Sequence, residues 1–407
     1  MQRGGTGLLL LVVAALGGCN SAPGGDADQQ GAPQTASSSA AQSDALAAHD
    51  IAQGLQLPAD LADDQPRELM QAQVVLDRLG FTPGVVDGKP GASTRNAVMG
   101  FQEANALPLS GTIDPATQQL LARWNNIPAT RIVTIPAEFA AGPFTALPDD
   151  AADQAKLPAL GYETLEEKLA ERFHTTVDTL MLLNPGGVPA GATVTASPTA
   201  AAAASVPAAS PNPASPNPAS TNPASAGTTF AAGQQIRVPN VGGDVIDPAQ
   251  VADPVWRTTL ALLGVGSNQP KAARIVVSKG KGTLKAFDTA DKLVGVFTAT
   301  MGSSKDPLPL GNWKINGVAR NPPFHYNPKL FWDVSDTKEK QLLPPGPNGP
   351  VGVAWIDLSK PHYGIHGTPA PETIGRAESH GCVRLTNWDV ARLAQMVSGS
   401  TKVLFES

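Results

Sequence analysis

Two tracts almost free of large apolar side chains interrupt this 407-residue chain and exclude a single continuous core. Asn20 to about Ala62 is built of Gln, Ser, Ala, Gly and Asp, while Ala196 to Thr229 holds an Ala-rich run and the repeat Pro-Asn-Pro-Ala-Ser, from Pro211 and again from Pro216. Neither tract buries enough apolar surface to offset the entropy of ordering its backbone. The proline repeat favours extended, unpaired conformations. Folded structure is therefore expected at 63–126, at 134–240 around an insertion at 190–229, and at 271–407. Such a multidomain layout suits a chain of this length.

The N-terminus carries one charge, Arg3, then an apolar run from Leu8 to Leu16. That run is shorter than the roughly 20 residues that span a bilayer, and reads as a signal peptide over residues 1–18. Leu16-Gly17-Gly18-Cys19 resembles a bacterial lipobox. The resemblance implies cleavage before Cys19, lipidation of its sulfur and a membrane anchor, with 19–62 as a disordered linker behind it. Asn20 after the cysteine implies sorting to the outer membrane, on the periplasmic side of the envelope.

Cys19 and Cys382 are the chain's two cysteines, so lipidation of the first leaves the second without a disulfide partner in an oxidising compartment. A single free thiol there is expected to serve reactivity. The net charge of −6 and the lack of a long basic tract argue against a nucleic-acid partner.

Cys382 lies in Ser379-His380-Gly381-Cys382-Val383-Arg384-Leu385, and Ile365-His366-Gly367-Thr368 precedes it. A cysteine attacks carbonyl carbon as thiolate, so it needs a proton acceptor and surroundings that lower a free-thiol pKa of roughly 8.5. Imidazole can do the first and cationic neighbours the second. Zinc held by His362, His366, His380 and Cys382 is chemically conceivable, yet the chain has no Cys-x-x-Cys or His-Glu-x-x-His spacing. Papain-like enzymes pair the same residue types, but there the cysteine generally comes first.

The His-Gly, variable loop, then Ser-His-Gly-Cys, an apolar residue and Arg resemble the L,D-transpeptidase catalytic domain of the YkuD family. The likeness extends upstream through Leu308 to Trp313, Gly349 to Gly352, Trp355 to Leu358 and Tyr363-Gly364. It implies a mainly β, sandwich-like catalytic domain with Cys382 as nucleophile and His366 as general base. The Gly367 carbonyl would hold the imidazole tautomer. His380 and backbone N–H groups at Gly381 and Cys382 would stabilise an oxyanion, and Arg384 would order the loop or meet a substrate carboxylate. Tyr363 and Ser379 fall on the substrate side, Ser379 alternatively bracing the turn. No metal or organic cofactor is expected.

Within that region, Arg274–Ser278, Thr283–Asp288, Lys292–Thr300 and Lys402–Phe405 read as strands. Asn387 is a candidate cap for a helix whose apolar face holds Val390, Leu393, Ala394 and Val397.

In 63–126, helical periodicity appears at Leu69, Val74, Val75, Leu76 and Leu79, at Ala97, Val98 and Phe101, and at Leu120 and Leu121. Ser93 or Thr94 is expected to cap the second helix and Asp114-Pro115 the third. Val86-Asp87-Gly88 through Thr94, with Phe101-Gln102, resembles a small helical peptidoglycan-binding domain, and Leu109 to Asp114 looks like its degenerate second half. Farther on, Tyr162 to His174 and Val177 to Leu183 read as helices and Gly233 to Pro239 as a strand. Together they resemble a βααβ LysM module, which binds N-acetylglucosamine-containing glycans.

The resemblances imply an enzyme acting on peptidoglycan stem peptides and glycan strands, with another stem or a protein lysine as acceptor. Two alternatives stay open: an L,D-endopeptidase or carboxypeptidase on the same fold, and a non-catalytic wall-binding lipoprotein.

Overall fold

The computed structural model describes residues 63, 65–191, 229–242, 245–330, 338–376, 379 and 381–407. The signal peptide, Cys19 and its linker, most of the insertion, and His380 lie outside the described residues.

Three helices open the structure: α1 (Glu68–Arg78), α2 (Ala92–Ala104) and α3 (Pro115–Leu121). Their periodic apolar residues meet in one core, where Val75, Leu76, Ala97, Val98 and Phe101 are buried. Two glutamines organise the loops. Gln73 donates to Asp87, the Lys89 carbonyl and Thr94, and accepts from the Asp87 and Gly88 N–H groups. Gln102 donates to Ser110, the Thr112 carbonyl and Thr117, and accepts from the Gly111 N–H. The second half thus repeats the hydrogen-bond scheme of the first. Asp114 caps α3 as expected. The α2 cap is different: Gly91 holds that position, and Ser93 and Thr94 lie inside the helix. Gln73 has claimed the Thr94 hydroxyl that would have served as cap.

Next, β1 (Thr130–Thr134) pairs antiparallel with β2 (Gln235–Pro239). Between them run the short α4 (Ala137–Ala140) and α5 (Ala151–Gln154), then α6 (Leu165–Arg172) and α7 (Val177–Leu183). Thr164 and Thr176 cap the two longer helices, and β1 starts ahead of residue 134. Asn184 closes the unit across the insertion. Its side chain accepts from the Arg237 N–H at 2.6 Å and donates to the Arg237 carbonyl at 2.7 Å.

The remaining elements are α8 (Pro254–Leu263), α9 (Asn387–Met396) and the strands β3 (Arg274–Ser278), β4 (Thr283–Phe287), β5 (Leu293–Thr298), β6 (Thr300–Met301), β7 (Gly311–Arg320), β8 (Phe324–Tyr326), β9 (Gln341–Leu343), β10 (Ala354–Leu358), β11 (Gly364–His366), β12 (Val383–Arg384) and β13 (Lys402–Glu406). Among the described residues nine strands form one ladder, ordered β5-β4-β3-β13-β7-β10-β11-β12-β6. Two halves of this β-rich domain meet in β7, whose first residues pair with β13 and whose last pair with β10. Ile275 and Phe297 from one half, Ile356 and Ile365 from the other, and Trp388 and Leu393 from α9 share one core.

The three units are packed together. Leu293 and Val296 of β5 join the core of the three-helix unit, and Met70, Val74 and Val86 join the core around α6 and α7. The outer strand β5 is covered by the segment after α1, where Thr82 donates to the Val296 carbonyl and Val296 to the Gly80 carbonyl. Such cover removes an edge that would otherwise invite pairing with another chain.

Candidate active site

His366 ends β11, and Cys382 stands just before β12. These strands are parallel, with Ile365 opposite Val383 and His366 opposite Arg384. Extending the register by one residue sets Cys382 against Gly364. Alternate residues of a strand share a face, so Cys382, Arg384 and His366 all project from the face that leaves Gly364 bare. The variable loop returns the chain to this place.

The His366 Nδ1 lies 2.7 Å from the Gly367 carbonyl. A carbonyl only accepts, so Nδ1 carries hydrogen and Nε2 keeps its lone pair. Burial, with Arg384 nearby, pulls the imidazole down to about 4, against the opposing pull of that carbonyl. It is therefore a neutral base at ordinary pH. The indole of Trp355 stacks on the ring, centroids 5.5 Å apart at 20°. The same indole covers Gly364, where any Cβ would overlap it.

The Cys382 thiol is half-buried, and its sulfur lies 3.6 Å from the His362 carbonyl. Burial pushes it up to about 11; the Gly364 N–H and Arg384 pull the other way, and Asp306 adds to the rise. Arg384 thus acts in the direction expected of a cationic neighbour, and burial opposes it. One cation and one N–H group do not outweigh desolvation. The His362 ring is exposed, and its residue contributes a carbonyl here.

Ser379 is buried, its hydroxyl accepting from the Gly302 N–H and donating to the Cys382 carbonyl, both at 2.6 Å. Both bonds favour bracing of the turn over substrate contact. Gly381 has φ of +90°, and a Cβ there would lie 2.6 Å from the Tyr363 ring. Glycine is what the turn admits. The Tyr363 hydroxyl donates to Asp306 at 3.0 Å and is pushed up to about 12, by burial first and then by Asp306. Arg384 is half-buried, its guanidinium lowered by burial and raised by the sulfur.

Asp306 and the stacking of Trp355 went unseen in the sequence reading. Asp306 stands 57 residues from its hydrogen-bond partner Tyr363, in a Lys305-Asp306-Pro307 turn with no distinguishing pattern. The Trp355 role had one legible signal, a glycine at position 364 in a strand otherwise built of large residues.

Residues 272–404 match the family model of the YkuD L,D-transpeptidase catalytic domain, and residues 65–121 that of the "Putative peptidoglycan binding domain". The "Putative L,D-transpeptidase YkuD" of Bacillus licheniformis is 36% identical over 130 residues, 32% of this chain and 63% of that protein. The "Probable L,D-transpeptidase YbiS" of Escherichia coli K12 is 30% identical over 135 residues, 32% of this chain and 44% of that one. The chain thus spans less than two thirds of either relative. Among solved structures, the catalytic domain of an E. faecium L,D-transpeptidase aligns with 34% of this chain and 98% of its own at 17% identity and a TM-score of 0.26. From the two family models, this chain carries a YkuD-type L,D-transpeptidase catalytic domain with a peptidoglycan-binding domain ahead of it.

Proposed function

We propose that the protein is a peptidoglycan L,D-transpeptidase that works through a thioester on Cys382. The observation that supports this reading is the β11–β12 register, which puts Cys382 on the same face as a neutral imidazole whose free lone pair is Nε2. The Cys382 proton passes to Nε2 as sulfur attacks the carbonyl carbon of the diamino residue in a donor stem. The tetrahedral oxyanion is met by backbone N–H groups at Gly381 and Cys382 and by His380. Collapse expels the terminal D-alanine, its amine taking the proton from His366, and leaves the thioester. An acceptor amine from a second stem or a protein lysine then attacks, passes its proton to His366, and releases the sulfur, which recovers that proton. No step calls on a metal or organic cofactor.

Resting thiol and imidazole are both neutral in this scheme, so proton transfer accompanies attack. General-base help of this kind typically gives about a hundred- to ten-thousand-fold in rate. The β1–α6–α7–β2 order supports a LysM-like glycan-binding role for the middle unit. The lipobox-like Leu16 to Cys19 supports a lipid anchor, with outer-membrane placement resting on Asn20.

Intact-protein mass spectrometry with a stem tetrapeptide ending in D-alanine tests the reading. Wild type should gain the tripeptide acyl group and Cys382→Ala should gain nothing. D-alanine release by a folded Cys382→Ala protein would sink the proposal. Muropeptides from treated sacculi then separate new cross-links from cleavage products, the mark of the hydrolase.

A further inference from the structure

Glu171, on α6 of the middle unit, is fully embedded against the catalytic domain. Its Oε1 accepts from Asn387 Nδ2 at 2.7 Å, and its Oε2 from the Tyr162 hydroxyl at 2.6 Å. Asn387 also donates to the Pro347 carbonyl at 3.0 Å, while its Oδ1 accepts from the Val353 N–H at 3.2 Å. That oxygen occupies a niche between the α-carbons of Gly352 and Gly367, where a Cβ on either glycine would overlap it. The Gly367 N–H is tied to the Val351 carbonyl at 3.0 Å, and its own carbonyl is the one that receives His366 Nδ1. Asn387 therefore packs on the peptide that sets the tautomer and tilt of the imidazole.

We infer that Glu171 and Asn387 are positioning residues for His366, so that seating α6 on the catalytic domain aligns the general base. The inference rests on the role given above to His366. The Glu171 carboxylate serves Tyr162 and Asn387 alike, and together with Pro347 and Val353 it fixes which way the Asn387 amide faces. The same unit makes a second set of contacts to the loop before β10. Asn348 Nδ2 donates to Glu167 at 2.6 Å and to the Gly161 carbonyl at 3.0 Å. A polar cleft of about 460 Å³ runs alongside, with Glu167 and Asp178 from the middle unit facing Asp87, Lys89, Glu372 and Arg376. Of these Glu167 acts on Glu171, while the charged group acting on His366 is Arg384. Glu372 and Arg376 belong to the loop joining His366 to Cys382, so the cleft wall and the catalytic loop are one segment.

Single-turnover release of D-alanine from the stem tetrapeptide, followed from pH 3.5 to 9, tests the inference. Glu171→Leu should slow release about ten- to a hundredfold, the scale of a small misplacement of a reacting group. It should also move the acid limb of the profile upward from near 4 toward the ordinary imidazole value of 6.5, as the ring loosens and meets water. Glu171→Gln still accepts from Asn387 and should restore both rate and limb. Asn387→Asp keeps the oxygen facing Val353 but, above about pH 7 where Glu171 is ionised, has no proton to give it, and should slow release there as Glu171→Leu does. The burst amplitude gives the folded fraction, so the rate constant refers to folded molecules alone. Wild-type rates and limbs in Glu171→Leu, or a wild-type rate above pH 7 in Asn387→Asp, would overturn the inference. So would a slowed rate with an unmoved limb, or a Glu171→Gln protein as impaired as Glu171→Leu. A wild-type protein that releases no D-alanine overturns the His366 reading itself, and this inference with it.

Discussion

Arg392 grips the Asp77 carboxylate with both terminal nitrogens, at 3.1 and 2.8 Å, and neither residue is more than 8% exposed. One belongs to the N-terminal three-helix unit and the other to the catalytic domain. His174 of the middle unit completes the junction, its Nδ1 3.2 Å from Asp77 and its ring stacked on Trp388. Three units thus meet on one buried carboxylate.

Asp77→Ala should destabilise the protein by about 3–5 kcal/mol, the usual cost of removing one member of a buried ion pair. Burial would raise the Asp77 carboxyl, but Arg392 and then His174 outweigh it and hold the group well below its ordinary 3.8. A depressed acid stabilises at pH above its unfolded value, and that contribution is lost as pH falls through its folded value. The gap between wild type and Asp77→Ala in denaturant midpoint should therefore be widest above about pH 4. An unchanged midpoint at pH 7 would show that the junction does not hold the units together.

Glu171 and Asp389 behave oppositely. Burial pushes each up to about 7, from ordinary values of 4.5 and 3.8. Between those ordinary values and about pH 7 the folded chain holds two protons that the unfolded chain has released. Stability should fall as pH rises across that window and level off above it. Glu171→Gln and Asp389→Asn should each flatten the slope of Tm against pH from 4.5 to 7. Slopes equal to wild type in both variants would contradict these two assignments.

The candidate site was legible because Ser379 to Leu385 brings its side chains in seven consecutive residues, with His366 one loop away. The Asp-Gly loop and the Asp114-Pro115 start were legible for the same reason, being local. The unit junction was not, since Asp77 and Arg392 stand 315 positions apart and each is an ordinary helical residue by pattern. Asn387 shows how a local rule misleads. Thr386 caps α9, accepting from the Asp389 N–H, and Asn387 is the first helical residue, its polarity spent on Glu171, Pro347 and Val353. Thr and Asn are both favoured caps, so sequence alone could not rank them.

Gly100 should prove sensitive to size. A Cβ there would lie 2.6 Å from Val296 Cγ2 and 3.1 Å from the Phe81 ring, so α2 packs on β5 only because the residue has no side chain. Gly100→Leu should cost about 1–3 kcal/mol through overpacking, and more if the helix lifts. Amide exchange would locate the damage. Thr82 and Val296, which bond across the contact, should exchange faster, while Phe405 in β13 keeps its protection. Unchanged exchange at both would mean that the contact yields without loss.

The resting state of Cys382 gives the last prediction. A thiol pushed up to about 11 is almost wholly protonated at neutral pH, and alkylation proceeds through thiolate. Iodoacetamide should therefore modify Cys382 on the order of a hundredfold more slowly at pH 7 than a free cysteine of pKa roughly 8.5, with the rate climbing until well above pH 9. Acylation by the stem substrate should not share that profile. His366, held down to about 4, is already a neutral base above pH 5, so transfer of the proton during attack is available across the neutral range. The acylation rate should stay level from about pH 5 to 9 while alkylation rises steeply. Trp355→Ala should bring the two profiles closer, because uncovering Gly364 and the imidazole lets water reach both groups, raising His366 and lowering Cys382. Fast alkylation of wild type at pH 7 would show a preformed thiolate, and the concerted proton transfer proposed for this site would then be wrong.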